Sequence, residues 1–293
     1  MGQDCLSLGL WQFHCYYLST VFSGRTEMAN RALLVGINKY PSAPLQGCVN
    51  DVEDVANFLV GRCDFKPGEI IIITDERATH DNISDALVDW IVHPSRPGDR
   101  LFFHNSSHGT EMLVDGEMHD AICPVDFDFS LETALIDEDF REIFRQIAPG
   151  VAFNWVADSC FSGDLARKLP PKYNRGCHIT PRTFPMPFDL AWSVQAAKLR
   201  GATTSKLSVA VEHLNGALIS GCATDQTSAD AYIEDRYNGA CTYALLKALK
   251  ASPAEPLTKI VATMNDWMDA NEYDQDPQLK GNPEICGKPW LTI

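Results

Sequence analysis

The chain has little positive charge. Only 24 of its 293 residues are lysine or arginine, against 39 aspartates and glutamates, which gives a formal net charge of −15. A nucleic-acid-binding domain needs a basic face, so we expect no nucleic-acid partner. An acidic surface instead suits substrates that carry positive charge.

The sequence also lacks long apolar runs and paired cysteines. Residues 1–27 contain the most apolar terminal segment, but its uninterrupted apolar stretches are far shorter than the ~20 residues that a membrane span needs. The segment also lacks the features of a signal peptide. The ten cysteines have no Cys-x-x-Cys spacing, so we expect most to be reduced and buried. We therefore expect a cytoplasmic monomer without a membrane span. Residues 1–28 would be an extension, either a genuine arm or a start-site artefact, and 29–293 one domain.

Apolar segments alternate with helix-like segments, the pattern of an α/β fold with a mainly parallel sheet flanked by helices on both faces. Continuous apolar runs are typical of strands covered on both sides. We predict six strands, at 31–38, 69–74, 100–105, 151–157, 216–222 and 288–293. We predict helices at 48–61, 80–92, 138–148, 240–250 and 257–270.

Two polar motifs directly follow the third and fourth predicted strands. They are Ser106–Thr110, which contains His108, and Asp158–Gly163, which contains Cys160. Functional groups of a doubly wound sheet gather at the carboxyl ends of its strands, so His108 and Cys160 should lie close together. A cysteine becomes a better nucleophile beside an imidazole, and the pair therefore indicates a cysteine-nucleophile hydrolase. A cysteine after an apolar strand is otherwise usually a buried core thiol.

These motifs, with three further segments in the same order, resemble the metacaspase and orthocaspase branch of the caspase-like cysteine peptidases. The further segments are Arg31–Asn38, Leu45–Val52 and Gly221–Asp230. The histidine lies about 50 residues before the cysteine, as in caspases, but Asp158-Ser159 precede the cysteine instead of the caspase Gln-Ala. The resemblance implies a caspase-like fold and a protein-cleaving enzyme, and it points away from the aspartate-specific true caspases.

The resemblance also implies how the dyad works. Cys160 would attack the scissile carbonyl and His108 would protonate the leaving amine, with water resolving the acyl-enzyme. The backbone N–H groups of Gly109 and Cys160 would form the oxyanion hole. The sequence shows no third residue that would extend this dyad to a catalytic triad. The alternative from another functional class is a silent pseudo-peptidase that binds or recruits basic peptides; the presence of both His108 and Cys160 favours the enzyme.

In metacaspases the pocket for the residue before the scissile bond is acidic. The matching positions here are Asp51 and Asp158, with Cys48 and Ser106 nearby. Two carboxylates would hold an arginine in bidentate fashion and a lysine as a point charge, which predicts cleavage after Arg or Lys with arginine preferred. The alternative for Asp51 is an acid at a helix N-terminus, where the helix dipole favours negative charge. The alternative for Asp158 is an acid that caps a turn.

The Gly221–Asp230 segment should form the other wall of the cleft. Its residues 227–229 could pair with an extended peptide through backbone hydrogen bonds. Either Asp225 or Asp230 could add to the acidic pocket, and the sequence does not choose between them.

A calcium site is also implied by the resemblance, although the chemistry itself requires no cofactor. The candidate ligands are Asp120, Asp137 and Glu138, of which Glu138 stands where the family has aspartate. Calcium takes six to eight oxygens. The alternative is a solvated acidic loop followed by a helix start rich in acids.

A long basic excursion precedes the fifth predicted strand. Residues 167–206 hold eight of the 24 basic residues. We predict that this segment borders the acidic cleft and contains a site of autocleavage. The alternative is a helical insertion, for which 191–199 has suitable composition.

Overall fold

The computed structural model of the chain describes residues 28–161, 179–211, 214–223 and 226–292. The N-terminal extension and residues 162–178 of the basic segment lie outside these ranges. The strands are β1 Asn30–Gly36, β2 Ile70–Thr74, β3 Arg100–Ser106, β4 Gly109–Val114, β5 Glu117–Ile122, β6 Leu135–Ile136, β7 Ala152–Asp158, β8 Ile179–Pro181, β9 Thr204–Ser205, β10 Gly216–Ser220, β11 Ala229–Ile233, β12 Arg236–Gly239 and β13 Gln278–Gly281. The α-helices are α1 Cys48–Arg62, α2 His80–Ala86, α3 Asp137–Phe144, α4 Phe188–Leu199, α5 Ala240–Ala251, α6 Leu257–Ala270 and α7 Pro283–Cys286, with a π-helical turn, Leu87–Val92, continuing α2.

Six strands form the central sheet in the order β13-β10-β7-β3-β1-β2. Five of them are parallel, and β13, at one edge, runs antiparallel to β10. Successive residues of a strand face opposite sides, so Phe102 and Phe103 belong to separate apolar cores, one on each face of the sheet. The predicted α/β fold, with a six-stranded and mainly parallel sheet between helices, is confirmed.

One predicted strand is wrong. The sixth strand is β13, and residues 288–292 form turns instead. Trp290 and Leu291 are buried because they pack into the apolar core on the Phe102 face of the sheet, where the Trp290 ring lies 5.0 Å from that of Phe102. Apolar side chains can thus be buried beside a sheet without pairing with its edge.

Two small sheets lie beyond the carboxyl edge of the central sheet, and their strands were not predicted. The hairpin β4–β5 begins immediately after the His108 motif and pairs with β6 and β9. The hairpin β11–β12 pairs with β8 in the order β12-β11-β8. Helix α4 includes residues 191–199, so this part of the basic segment follows the alternative of a helical insertion. Where the chain is described, no helix has the length and apolar character needed to cross a membrane.

Candidate active site

The register of the central sheet brings His108 and Cys160 together. Strands β3 and β7 are parallel neighbours, and their last residues, Ser106 and Asp158, are paired. His108 and Cys160 each follow two residues later, so they leave the sheet side by side. Both are almost fully buried, with exposures of 1% and 0%.

The imidazole of His108 is held in one orientation. Its Nε2 lies 2.7 Å from the carbonyl oxygen of Ala43, which can only accept, so Nε2 carries the proton. Nδ1 is buried and has no hydrogen-bond partner within the described part of the chain. The Tyr40 ring packs against the imidazole at 4.7 Å, and its hydroxyl accepts from the His108 backbone N–H at 3.2 Å. Nδ1 is therefore the nitrogen free to exchange a proton with substrate or thiol.

Burial lowers the pKa of His108 to about 4, while the carbonyls of Ala43 and Arg182 act in the opposite direction. The imidazole is consequently neutral at physiological pH, as a general base must be. The carbonyl of Ala43 is the orienting group that the sequence could not reveal, because every residue carries a carbonyl.

Two backbone donors converge on one oxygen beside the dyad. The N–H of Gly109 donates to the carbonyl of Arg182 at 2.9 Å, and the N–H of Cys160 donates to the same carbonyl at 3.3 Å. These are the two groups predicted to form the oxyanion hole. A Cβ on Gly109 would lie 2.7 Å from the Cys160 carbonyl oxygen, so only glycine allows this approach. The Cys160 thiol lies 3.2 Å from the carbonyl oxygen of Gln226.

The guanidinium of Arg182 lies in an acidic pocket next to these donors. Its Nη2 is 2.8 Å from an oxygen of Asp51 and 3.0 Å from one of Asp230, and its Nη1 is 3.1 Å from Asp158. The Arg182 side chain is fully buried. Ser106 adds a hydroxyl oxygen that accepts from Nη1 at 2.8 Å. Paired and hydrogen-bonded in this way, the buried charges are compensated.

The pocket carboxylates are fixed by donors from several elements. Asp158 accepts from the hydroxyl of Ser228 at 2.6 Å and from the N–H and hydroxyl of Thr242 at 2.8 Å each. Burial would raise the pKa of Asp158, but Arg182 and these hydrogen bonds hold it below its usual value. The carboxyl end of β7 and the start of α5 thus keep this carboxylate ionised.

Asp51 lies in the first turn of α1 and is equally constrained. It accepts from the Ser106 hydroxyl at 2.7 Å and from the Gly239 N–H at 2.8 Å. Burial raises the pKa of Asp51 to about 7 despite the opposing effect of Arg182. A Cβ on Gly239 would lie 2.2 Å from an oxygen of Asp158 and 2.6 Å from one of Asp51, so this wall of the pocket needs glycine.

The structure also locates the remaining residues predicted for the pocket. Cys48 is a buried thiol at the start of α1, and burial raises its pKa strongly. Asp225 lies outside the described residues. Asp230, which the sequence left as its alternative, supplies the third carboxylate and accepts from the N–H groups of Gln46 and Gly47 at 2.8 and 2.9 Å.

The segment around Arg182 follows strand β8 and is held across the site by backbone hydrogen bonds on both sides. Strand β8 pairs antiparallel with β11, and the Arg182 N–H donates to the carbonyl of Ser228 at 2.9 Å. On the other side of Arg182, the Phe184 N–H donates to the carbonyl of Gly109 at 2.8 Å. Both flanks are thereby bound through backbone groups, in the way an edge strand binds a peptide.

The side chains predicted to bind calcium are each engaged by another group. The contacts are Asp120 with Lys206, Asp137 with His119 and Ser205, and Glu138 with Arg141. No group of three or more His, Cys, Asp or Glu side chains that could hold a metal occurs among the described residues. As they lie, these residues do not fit a calcium ion, which needs six to eight oxygens.

The chain is similar to known metacaspases. The family model for the metacaspase, peptidase C14 domain, matches residues 30–168. Metacaspase-1 of Meyerozyma guilliermondii is 31% identical, with 91% of this chain and 72% of the relative aligned. Metacaspase-1 of Scheffersomyces stipitis is 32% identical over 85% of this chain and 70% of the relative.

Among solved structures, protein GSU0716 of Geobacter sulfurreducens superposes with a TM-score of 0.65 over 90% of this chain and 99% of that protein. At 21% identity, this likeness shows the fold alone. The two metacaspase relatives extend over most of the chain, and the residues matched by the family model include both strand-end motifs. The chain belongs to the metacaspase family and is a cysteine-type endopeptidase that acts on proteins.

Proposed function

We propose that the enzyme cleaves proteins after arginine, and less readily after lysine, and that its own Arg182–Thr183 bond is a cleavage site. The observation that carries this proposal is that both ends of Arg182 are bound at once. Its guanidinium lies among three carboxylates, while its carbonyl oxygen accepts from the N–H groups of Gly109 and Cys160. A peptide bond about to be cleaved requires the same two contacts.

The arrangement supports a complete acyl-transfer cycle. The Cys160 sulfur bonds to the Arg182 carbonyl carbon as Nδ1 of His108 takes the thiol proton. The bond to the Thr183 nitrogen then breaks, and that nitrogen receives the proton from His108. A water molecule, deprotonated by His108, hydrolyses the thioester and regenerates the thiol. The two backbone N–H groups stabilise the negative charge on the carbonyl oxygen at each step.

The preference for arginine follows from the shape of the pocket. Nη1 and Nη2 of Arg182 point to different carboxylates, and Nη1 also donates to Ser106. A lysine carries one ammonium group and cannot bridge these acceptors as a planar fork does. An aspartate or glutamate would face like charges. Arginine is therefore the residue that fits best.

Mass spectrometry of the purified chain tests the assigned bond. We expect incubation to yield a fragment that begins at Thr183, and we expect Cys160→Ala to remain intact. Arg182→Gln should abolish this cut, whereas Arg200→Gln, a control at the end of α4, should not. An intact wild-type chain would favour the alternative of a basic-peptide-binding module. A cut after another basic residue would overturn the assignment of Arg182 but not the arginine preference.

The resemblance led us to expect calcium stimulation, but the charges around Asp120 oppose it. Lys206 lies 3.2 Å from Asp120 and 3.9 Å from Glu111, so a lysine ammonium already balances carboxylates that calcium would bind. We expect autocleavage in excess chelator to match that in millimolar calcium to within about twofold. A calcium-dependent increase of about tenfold or more would show that these acids rearrange to bind the ion. The monomeric state and the cytoplasmic location stay predictions.

A further inference from the structure

Phe184 is the second deeply bound side chain of the segment that crosses the site. Arg182 and Phe184 are both buried, whereas Thr183 between them is only partly buried. Phe184 is 6% exposed, whereas Ile179, Thr180 and Pro181 are only partly buried. In residues 179–187, Arg182 and Phe184 are the buried positions.

Four rings surround Phe184. Its ring centroid lies 5.6 Å from Tyr40, 5.4 Å from His108, 5.3 Å from Phe127 and 5.6 Å from Phe129. All four pairs are edge-to-face, with interplanar angles between 75° and 81°. Aromatic rings favour such contacts beyond the burial of their area, and an aliphatic side chain could not make them. The geometry is therefore selective for a ring.

The wall of this pocket is built by a loop that is ordered by its own hydrogen bonds. Phe129 has a φ of 72°, an unusual backbone conformation for a bulky residue that persists only where its surroundings fix it. Asp128 accepts from the Ser130 N–H at 3.0 Å and from the Thr133 hydroxyl at 2.7 Å. The loop thus presents Phe129 as a fixed wall.

We infer that Tyr40, Phe127 and Phe129 form a subsite for an aromatic side chain two residues after the scissile bond. The inference rests on the proposed function, since Phe184 has this position only if the Arg182–Thr183 bond is the one cleaved. The substrates it identifies are proteins with arginine, any residue and then an aromatic residue. The bound ring also covers one edge of the His108 imidazole and excludes water from it.

Quenched fluorescent peptides of sequence Ile-Thr-Pro-Arg-Thr-Z, with Z as Phe, Tyr, Leu or Ala, test the subsite on the processed wild-type enzyme. We expect kcat/KM for Phe to exceed that for Ala by about 10- to 100-fold, as burial of a whole ring implies, with Leu in between. Phe184→Ala should give at least the same Phe-to-Ala ratio of kcat/KM, because the enzyme's own Phe184 ring no longer competes with the peptide for the subsite.

Variants then locate the preference. Phe129→Ala should bring the Phe-to-Ala ratio down towards one, while Trp192→Ala, which removes an aromatic side chain 63% exposed on α4, should leave the ratio unchanged. Equal cleavage of all four peptides by the wild type and by Phe184→Ala overturns the subsite and leaves arginine specificity intact. If Phe184→Ala does not fold, the wild-type ratio decides alone. Failure to cleave any arginine peptide overturns both proposals.

Discussion

Asp51→Asn is expected to lower kcat/KM for arginine peptides by about 10²-fold. Removing one member of a buried, hydrogen-bonded charge pair typically costs about 2–5 kcal/mol, because the partner is left partly unpaired. Asp51 lies 2.8 Å from Nη2 of Arg182, and an asparagine oxygen in the place of Oδ2 can still accept from the Ser106 hydroxyl and, at 3.0 Å, from the Gly239 N–H. The loss should therefore fall on substrate binding rather than on folding, which thermal unfolding of the two proteins would check.

The same substitution should change the pH profile. Asp51 binds arginine as the carboxylate, and burial raises its pKa to about 7. That value applies with arginine in the pocket, so kcat of the wild type, which reports ionisations of the enzyme–substrate complex, should rise with pH through the region around 7. Asp51→Asn has no group that titrates there and should lack this rise.

Asp54 provides a matched control for Asp51. It lies three residues further along α1, where its half-exposed carboxylate is 2.8 Å from Arg236 rather than in the pocket. Asp54→Asn should leave both the rate and its pH dependence unchanged. If Asp51→Asn remains folded and cleaves arginine peptides at the wild-type rate, Asp51 is only a favourable charge at a helix start.

The sequence predicts the proximity of His108 and Cys160 for a simple physical reason. Their strands are adjacent and parallel, and each residue follows its strand end by two positions. Continuous apolar runs predict buried strands well, because burial on both faces requires them. Both the fold and the placement of His108 and Cys160 at one edge of the sheet could therefore be predicted from the sequence.

The occupant of the pocket could not be predicted in the same way. Arg182 is one of eight basic residues between 167 and 206, and local sequence does not distinguish it from the others. Its position depends on pairing between β8 and β11, which lie almost fifty residues apart. Asp230 and Asp225 were equivalent in sequence for a similar reason, since strand register, rather than composition, orients Asp230 into the pocket.

Gly109→Ala is expected to lower kcat by about 10²- to 10³-fold, the loss that follows removal of an oxyanion donor. The new methyl group would lie 2.7 Å from the Cys160 carbonyl oxygen and 2.8 Å from the Phe161 ring, so the two backbone segments must separate. Their N–H groups would then no longer converge on one carbonyl oxygen. KM should change less than kcat, because the arginine pocket is untouched, and steady-state kinetics on arginine peptides would measure both.

Gly61 is the appropriate control for this substitution. It lies in the last turn of α1, and a Cβ there would have no heavy atom within 4 Å. Gly61→Ala should keep full activity, since alanine favours a helix over glycine by up to about 1 kcal/mol and meets no obstacle. A folded Gly109→Ala protein with wild-type kcat would show that the backbone accommodates a Cβ without moving the two N–H groups apart, and the requirement for glycine at this position would be wrong.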